Sequence, residues 1–281
     1  MQMNIQPIEK VIPEANIIVF CPHYDDFSLD LGGYIIELKE RGILQSKHFH
    51  ILLVFSTSNY LTAQGERNFD VSQDRIKYAT GRRVIEDNNC IDELLGEHQY
   101  RYELMREREA MLRSKVFADS EMEYAQGGYN NFSEEDHQIF SRLQHLVKEW
   151  ASQENTALVF PLAIKEHIDH FILREAAIQV ANEMKDMAKA SFYFVEDRPY
   201  AGIMAAEDVA KLEKFISFHN LQPRVFRHHP DEVVDLVFKH YISLADDVYR
   251  KGVVQRSQQL QEEYDLDVPC DRILWLPINK S

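Results

Sequence analysis

The sequence feature that most constrains the fold is a short apolar segment followed at once by polar, metal-binding side chains. Residues 16–20 (NIIVF) are mostly β-branched or aromatic, as expected for a strand buried on both faces of a parallel sheet. His23, Asp25 and Asp26 come directly after it. Open α/β sheets bind their ligands at the carboxyl ends of the strands. The pattern therefore predicts a strand, a reactive loop and then a helix.

A second segment has the same organisation. Residues 157–164 (ALVFPLAI) predict a strand, and His167, Asp169 and His170 follow it and lead into a predicted helix. The two clusters are about 140 residues apart in the sequence. Because both lie at predicted strand ends, they can meet at one edge of the same sheet. The sequence by itself leaves open whether they do.

The rest of the chain alternates predicted strands with predicted helices. Further strands are predicted at residues 49–55, 191–195, 223–226 and 273–276, and helices at 80–95 with Thr80 as N-cap, 133–150, 209–218 and 233–249. The charge-rich residues 97–130 are expected to form an excursion over the surface. This alternation predicts an α/β fold with a mostly parallel sheet covered on both faces. We expect one domain over residues 1–281.

Composition excludes several classes of function. The formal net charge of −15 would repel a nucleic acid backbone or an anionic membrane, so a small neutral or cationic substrate fits better. The three cysteines are widely spaced, which indicates neither a disulfide framework nor a thiolate zinc site. The sequence has no apolar run of about 18 residues and no secretion-signal pattern at its start, so we expect a cytoplasmic chain without a membrane span.

The two polar clusters contain the residue types of a catalytic metal site. A catalytic zinc keeps three protein ligands and leaves a position open for water, whose pKa it lowers. His23, Asp26 and His170 would supply such a set, and Asp25 would accept a proton from the activated water. Each motif also has an ordinary alternative, since an Asp-Asp pair often caps a helix and a single histidine often lies in the core. Two histidines with one carboxylate also fit a non-haem iron oxygenase, which would have a double-stranded β-helix.

Three segments resemble motifs of a known family. CPHYDDFSLDLGG resembles the P-H-P-D-D-E-x4-G-G signature of the LmbE-like / PIG-L family of zinc-dependent N-acetylglucosaminyl deacetylases. HIDHFILREAA resembles the second motif of the family, and RVIEDNNCIDELLG agrees more weakly with a third. The segments that carry these motifs frame residues 16–180, and residues 182–281 have no specific match.

The resemblance implies a fold, a metal and a reaction. The fold would be a three-layer α/β/α arrangement around a Rossmann-like sheet. One Zn²⁺ ion per chain would be bound by His23, Asp26 and His170, which match the ligand positions of the family. The reaction would be hydrolysis of an N-acyl group, typically N-acetyl on an amino sugar, and the partner would be that small-molecule substrate.

The resemblance also implies roles for four residues around the metal. Asp25 matches the general base, and His167 matches the histidine that polarises the amide carbonyl or protonates the leaving amine. Asp169 matches the orienting partner of His167. Arg83 matches a motif arginine near the substrate mouth, with a surface salt bridge as the alternative.

Two positions depart from the family signature, because Tyr24 replaces a usual Pro and Phe27 a usual Glu. The loss of a carboxylate at Phe27 raises the alternative of a non-catalytic sugar-binding relative. His228 and His229 are expected to be solvated, with a place in a pocket wall as the alternative. The sequence does not specify the exact substrate or the oligomeric state.

Overall fold

The computed structural model describes residues 4–61, 70–96, 100–113, 126–243 and 246–278. These residues include one seven-stranded sheet. Its strands are β1 (Asn16–Cys21), β2 (His48–Leu53), β3 (Tyr100–Leu104), β4 (Thr156–Pro161), β5 (Ser191–Val195), β6 (Gln222–Arg227) and β7 (Cys270–Leu276). The α-helices are α1 (Asp26–Glu40), α2 (Gln73–Leu95), α3 (Ala110–Arg113), α4 (Glu134–Ala151), α5 (Ile168–Glu183), α6 (Ala206–Phe218), α7 (Pro230–His240) and α8 (Asp247–Glu263). None of the described helices is both long enough and apolar enough to span a bilayer.

The order of the strands creates a crevice beside the first strand. The strands lie in the order β3-β2-β1-β4-β5-β7-β6. β1 pairs in parallel with β2 on one side and with β4 on the other, and β7 runs antiparallel to both of its neighbours. The chain thus moves outward from β1 to β3 and then crosses back to β4. In open α/β sheets, such a reversal opens a ligand-binding crevice outside the carboxyl ends of the two central strands.

Alternate residues of the central strands pack into two separate apolar layers. On β1, Ile17 and Val19 contribute to one layer, whereas Ile18 and Phe20 contribute to the other. Helices α1, α2 and α7 cover the first layer, and α4, α5 and α6 cover the second. Side chains of a strand point alternately to opposite faces, so this separation follows from the strand geometry. The predicted three-layer α/β/α fold is confirmed.

The S-E-E-D segment begins a helix as predicted. Ser133 Oγ accepts the peptide N–H of Asp136 at 3.1 Å, and Asp136 Oδ2 accepts the peptide N–H of Ser133 at 2.7 Å. This reciprocal pair satisfies N–H groups that the start of a helix leaves without an intrahelical partner. The strand predicted at residues 191–195 also has its predicted bounds.

Thr80 is not the N-cap of the next helix. Helix α2 begins earlier, and its N-cap is Ser72, whose hydroxyl accepts the peptide N–H of Arg75 at 3.3 Å. Thr80 lies within the helix, where its hydroxyl donates to the carbonyl oxygen of Ser58 at 3.1 Å. The first turns of α2 carry few apolar residues, so the sequence before Thr80 has no helical period that would predict the earlier start.

The single helix predicted over residues 233–249 is also wrong. The structure has two helices there, because α7 ends at His240 and Asp246 caps a new helix by accepting the peptide N–H of Val248 at 2.8 Å. An apolar period that continues across the break hid it in the sequence.

The predicted surface excursion of residues 97–130 contains regular structure. Residues 100–104 form β3, which pairs in parallel with β2 at the edge of the sheet. The sequence YRYEL alternates large apolar and charged side chains, which is the pattern of a half-buried strand. Residues 97–99 and 114–125 of this segment lie outside the described residues.

A close contact to one glycine of the first motif gives a test of the packing of α1. A Cβ atom on Gly33 would lie 2.1 Å from His228 Cδ2, whereas a Cβ on Gly32 would meet Val233 at 3.4 Å. We expect Gly33→Ala to lower the free energy of unfolding by about 1–3 kcal/mol relative to Gly32→Ala. Both variants gain the same helix propensity, so the comparison isolates the contact. Urea denaturation measures the difference, and equal stabilities would contradict the packing described here.

Candidate metal centre

The two polar clusters meet at the crevice between β1 and β4. His23 follows β1, and Asp26 is the first residue of α1. His167 is the N-cap of α5, and His170 lies in the first turn of that helix. Because β1 and β4 are neighbours and parallel, their carboxyl ends lie side by side. The sheet order therefore brings together residues that are about 140 positions apart.

Three side-chain atoms from these clusters form a small triangle, which we call the ligand triangle. His23 Nδ1 lies 3.2 Å from His170 Nε2. Asp26 Oδ2 lies 3.5 Å from the first nitrogen and 3.7 Å from the second. Ligands at about 2.0–2.2 Å around a tetrahedral zinc ion are separated from one another by roughly 3.3–3.6 Å. The spacing of the ligand triangle therefore fits such an ion.

In both His23 and His170, the ring nitrogen that is not part of the ligand triangle contacts a buried carboxylate. His23 Nε2 lies 2.8 Å from Asp169 Oδ2, and His170 Nδ1 contacts Asp197 Oδ1. Both aspartates are fully buried. In metal sites, a histidine commonly donates its second N–H to a carboxylate, which fixes the tautomer and ring orientation. The other ring nitrogens, His23 Nδ1 and His170 Nε2, then carry the lone pairs that could bind a metal ion.

The same carboxylates give the site a negative field. Burial acts to lower the pKa of His23, but hydrogen bonds to Asp169 and Asp26 raise it to about 10. Burial also acts to lower the pKa of His170, which the charges of Asp26 and Asp197 nevertheless raise. A field that favours a proton on an imidazole nitrogen also favours a metal cation there. The residues present fit a divalent cation in charge as well as in spacing.

The carboxylate of Asp169 contacts His23 rather than His167, which corrects the predicted orienting pair. Its Oδ2 also accepts the peptide N–H of Ala110 at 3.0 Å, and its Oδ1 pairs with Arg113. Burial acts to raise the pKa of Asp169, but the positive charge of the Arg113 guanidinium holds this pKa well below its usual range. The link to His167 runs instead through the peptide N–H of Asp169, which donates to Nδ1 at 3.2 Å.

His167 completes a group of three imidazoles. One ring nitrogen from each of His23, His167 and His170 lies within 4.8 Å of the others. Burial lowers the pKa of His167 well below its usual value, so the ring is neutral. Because its Nδ1 accepts a peptide N–H, the neutral ring carries its proton on Nε2. This tautomer suits donation of a hydrogen bond to a substrate oxygen better than metal binding.

Asp25, the residue before Asp26, is buried and has a strained backbone. Its φ is 82°, which costs a non-glycine residue on the order of 1–3 kcal/mol. Its peptide N–H donates to Asp87 Oδ1 at 3.2 Å, and the Tyr249 hydroxyl donates to its Oδ2 at 2.9 Å. Burial and the charge of Asp26 raise the pKa of Asp25 to about 7. A carboxylate with a pKa near neutrality suits a general base.

Arg83 is buried, so the alternative of a salt bridge on the helix surface is wrong, and its place near a substrate mouth stays a prediction. It is only 4% exposed. It pairs with Glu109, donates to Ser58 Oγ at 2.8 Å and lies 3.7 Å from Asp25 Oδ1. Its guanidinium also lies 4.9 Å from the centre of the Tyr24 ring. Arg83 therefore lies next to Asp25 in the interior, and its positive charge acts to lower the pKa of that carboxyl group.

The two departures from the family signature lie in the protein interior. The Tyr24 side chain is fully buried, and its hydroxyl donates to the carbonyl oxygen of Ser56 at 2.6 Å. Phe27 is also buried, and its ring packs edge-on against Phe49 with the ring centres 6.0 Å apart. Both side chains pack in the core, and neither comes between the atoms of the ligand triangle.

The expectation that His228 and His229 are solvated is wrong. His228 is 3% exposed, and neither of its ring nitrogens has a hydrogen-bond partner among the described residues. The His229 side chain is largely buried in a group of carboxylates, with Nε2 2.9 Å from Glu37 Oε2 and Nδ1 3.4 Å from Glu232 Oε1. Both histidines therefore belong to the packing between α1 and the start of α7.

Three residues that contact the predicted site residues are not predicted from the sequence. Asp197 follows β5 almost directly, so the strand-end rule that selected His23 also applies to it. Tyr249 belongs to α8, and Arg113 to the charge-rich segment. Neither of these two residues is part of a motif, and only the folded chain brings them to the site.

Comparisons with known proteins identify structures of the same fold. A scan of the sequence against protein-family models finds no match, and a search of curated proteins finds none. Three solved structures align over nearly the whole chain. One is the zinc-inhibited form of teicoplanin deacetylase Orf2, with 15% identity, 92% of this chain and 97% of that chain covered, and a TM-score of 0.59.

The other two structures are also deacetylases. The A40926 pseudoaglycone deacetylase Dbv21 has 15% identity, with 94% of this chain and 97% of that chain covered and a TM-score of 0.55. The N,N'-diacetylchitobiose deacetylase from Pyrococcus horikoshii has 11% identity, with 96% and 87% covered and a TM-score of 0.57. At this level of identity the likeness establishes the fold. It confirms the architecture that the LmbE-like resemblance implies.

Proposed function

We propose that this chain is a zinc-dependent N-deacetylase that hydrolyses a small acyl amide, an N-acetyl group on an amino sugar, to a carboxylate and a free amine. The observation that carries the proposal is the ligand triangle of His23, Asp26 and His170. The ring nitrogens of His23 and His170 that lie outside the triangle contact Asp169 and Asp197. Asp25 precedes Asp26 in the sequence, and the charges of Asp26 and His23 act on its carboxyl group.

The structural neighbours support this choice of reaction. They include deacetylases of teicoplanin and of N,N'-diacetylchitobiose. One of them, teicoplanin deacetylase Orf2, has a zinc-inhibited form, which indicates that zinc binds that protein. Assays of this chain should therefore avoid an excess of zinc. The motif agreement at residues 21–33 and 167–177 points to the same class of reaction.

His23, Asp26 and His170 would hold the metal. When bound, zinc polarises an amide carbonyl and lowers the pKa of a water molecule at its open position. Asp25 would take a proton from the attacking water. The Tyr249 hydroxyl donates to its carboxylate, and the Asp87 carboxylate accepts its peptide N–H, which supports this role.

His167 is the second group of the chain that faces the reaction. Its Nε2–H would donate a hydrogen bond to the carbonyl oxygen, where negative charge develops during attack. The proton taken up by Asp25 must then reach the leaving nitrogen, and Asp25 or His167 would deliver it. Arg83 does not touch the substrate in this scheme, because its charge is directed at Asp25 and Glu109.

The alternatives weighed from the sequence have less support. A non-haem iron oxygenase of the expected kind would have a double-stranded β-helix, whereas the sheet here is open and mostly parallel. A non-catalytic sugar-binding relative was suggested by Phe27. That side chain packs in the core against Phe49, and it is none of the residues proposed to hold the metal or to move a proton.

Release of acetate tests the proposed function. The purified chain with one equivalent of zinc is incubated with N-acetylglucosamine, N,N'-diacetylchitobiose and larger N-acetylated amino sugar conjugates, and free acetate and new amine are measured. We expect equal amounts of both from at least one compound. A zinc-loaded protein that releases neither from any of them would favour the sugar-binding alternative.

A further inference from the structure

A separate pocket lies next to the loop that leads into His167. Its volume is about 390 Å³, which lies within the usual range for small-molecule sites. Its apolar walls come from the end of β4 and from α6 and include Leu162, Leu212 and Phe215. Phe218 lies at its edge and is 80% exposed. An apolar concavity with an exposed aromatic ring at its edge indicates a site for an apolar group.

The charged residues around this pocket are mostly cationic. Lys165, Arg174, Lys211 and Lys214 line it, against two acidic residues, Glu166 and Asp208. The excess of positive charge is local, because the whole chain has a formal net charge of −15.

Two of these cations are available to a ligand. Lys211 pairs with Glu166 at 3.0 Å. Lys165 and Lys214 are exposed, and neither makes an ion pair with any residue that the structure describes. The pocket therefore combines apolar walls with uncommitted positive charge at its rim.

The walls of the pocket are held in place without a ligand. The Arg174 guanidinium lies 4.5 Å from the centre of the Phe215 ring and 5.0 Å from that of Phe171, and it donates to the carbonyl oxygen of Leu162 at 3.0 Å. The loop on the other side is strained, because Lys165 has a φ of 60°. Strained backbone of this kind clusters at functional sites.

We infer that this pocket binds a small amphipathic anion, an aromatic or aliphatic body with a carboxylate. The body would pack on Leu212 and Phe215, and the carboxylate would face Lys165 and Lys214. A neutral ligand of the same shape would leave the positive charges at the rim without partners, and a cationic one would be repelled. The inference does not depend on the proposed deacetylase activity.

Three probes with one ring system test the inference: 2-naphthoate, naphthalene-2-methanol and 2-naphthylmethylammonium. Titration calorimetry on the full, zinc-loaded chain should show that 2-naphthoate binds at least about fivefold more tightly than the neutral probe. This is the effect of one pair of opposite unit charges about 4 Å apart in bulk water. The cationic probe should bind most weakly. In Lys165→Glu/Lys214→Glu, the anion should lose this advantage.

A matched variant controls for the total charge of the protein. Lys77→Glu/Lys251→Glu makes the same change in net charge at exposed positions outside the pocket, and it should bind 2-naphthoate as the wild type does. Phe218→Ser, at a position that is 80% exposed, should weaken all three probes without affecting folding. The inference is overturned if the neutral and anionic probes bind equally. Binding of 2-naphthoate that the pocket variant leaves unchanged would place the probe elsewhere and would also overturn it.

Discussion

His170→Ala is expected to remove most of the bound metal and to lower amide hydrolysis by about 10³-fold or more, the equivalent of roughly 4 kcal/mol of transition-state stabilisation. The substitution deletes one corner of the ligand triangle and leaves the carboxylates of Asp26 and Asp197 without the imidazole between them. Elemental analysis gives the metal content, and acetate release gives the activity.

His50→Ala is the matched control for this variant. His50 is also a buried histidine that contacts a carboxylate, with Nε2 3.2 Å from Glu103 Oε2, but it lies on β2 away from the crevice. It should lose stability while keeping its metal and its activity per folded molecule. If His170→Ala retains both metal and activity, the ligand triangle is not the metal site.

Asp25→Asn and Asp26→Asn are expected to fail in different ways, although they make the same chemical change at neighbouring positions. Asp25→Asn keeps the shape of the side chain but cannot accept a proton, so hydrolysis should fall by about 10²–10⁴-fold. Its metal content should stay close to that of the wild type, because Asp25 is not part of the ligand triangle. Asp26→Asn removes a negatively charged ligand atom, so this variant should lose metal and activity together.

The pair separates proton transfer from metal binding in a single comparison. Metal content is measured on both variants after the same purification, and acetate release is measured with and without one added equivalent of zinc. Zinc should not rescue Asp25→Asn. Loss of metal in Asp25→Asn with retention in Asp26→Asn would reverse the two roles and contradict the geometry described here.

The local sequence was enough to predict the strands that carry the site. The apolar segments before His23 and His167 predict strands, because strands of a buried parallel sheet are apolar on both faces. The polar residues that follow them lie at strand ends, which is where such sheets bind ligands. The sequence could not show that the two strands are neighbours, because that depends on the order β2-β1-β4 in the folded sheet.

The surroundings of the site were less predictable. The motifs point to Asp169 and Arg83, but packing in the folded chain determines which residues their side chains contact. The Asp169 carboxylate contacts His23 through Oδ2, which also accepts the peptide N–H of Ala110, while Arg113 pairs with Oδ1. These two residues belong to a segment whose charge-rich sequence has no clear period. Such long-range contacts between polar groups leave no local pattern in a sequence.

The most direct test of the account is the dependence of turnover on bound zinc. The protein is stripped of metal with a chelator, zinc is returned in steps up to one equivalent, and bound metal and acetate release are measured on the same samples. We expect turnover to be absent without metal, to rise in proportion to bound zinc and to reach its maximum at one ion per chain. Turnover by the metal-free protein would contradict this expectation.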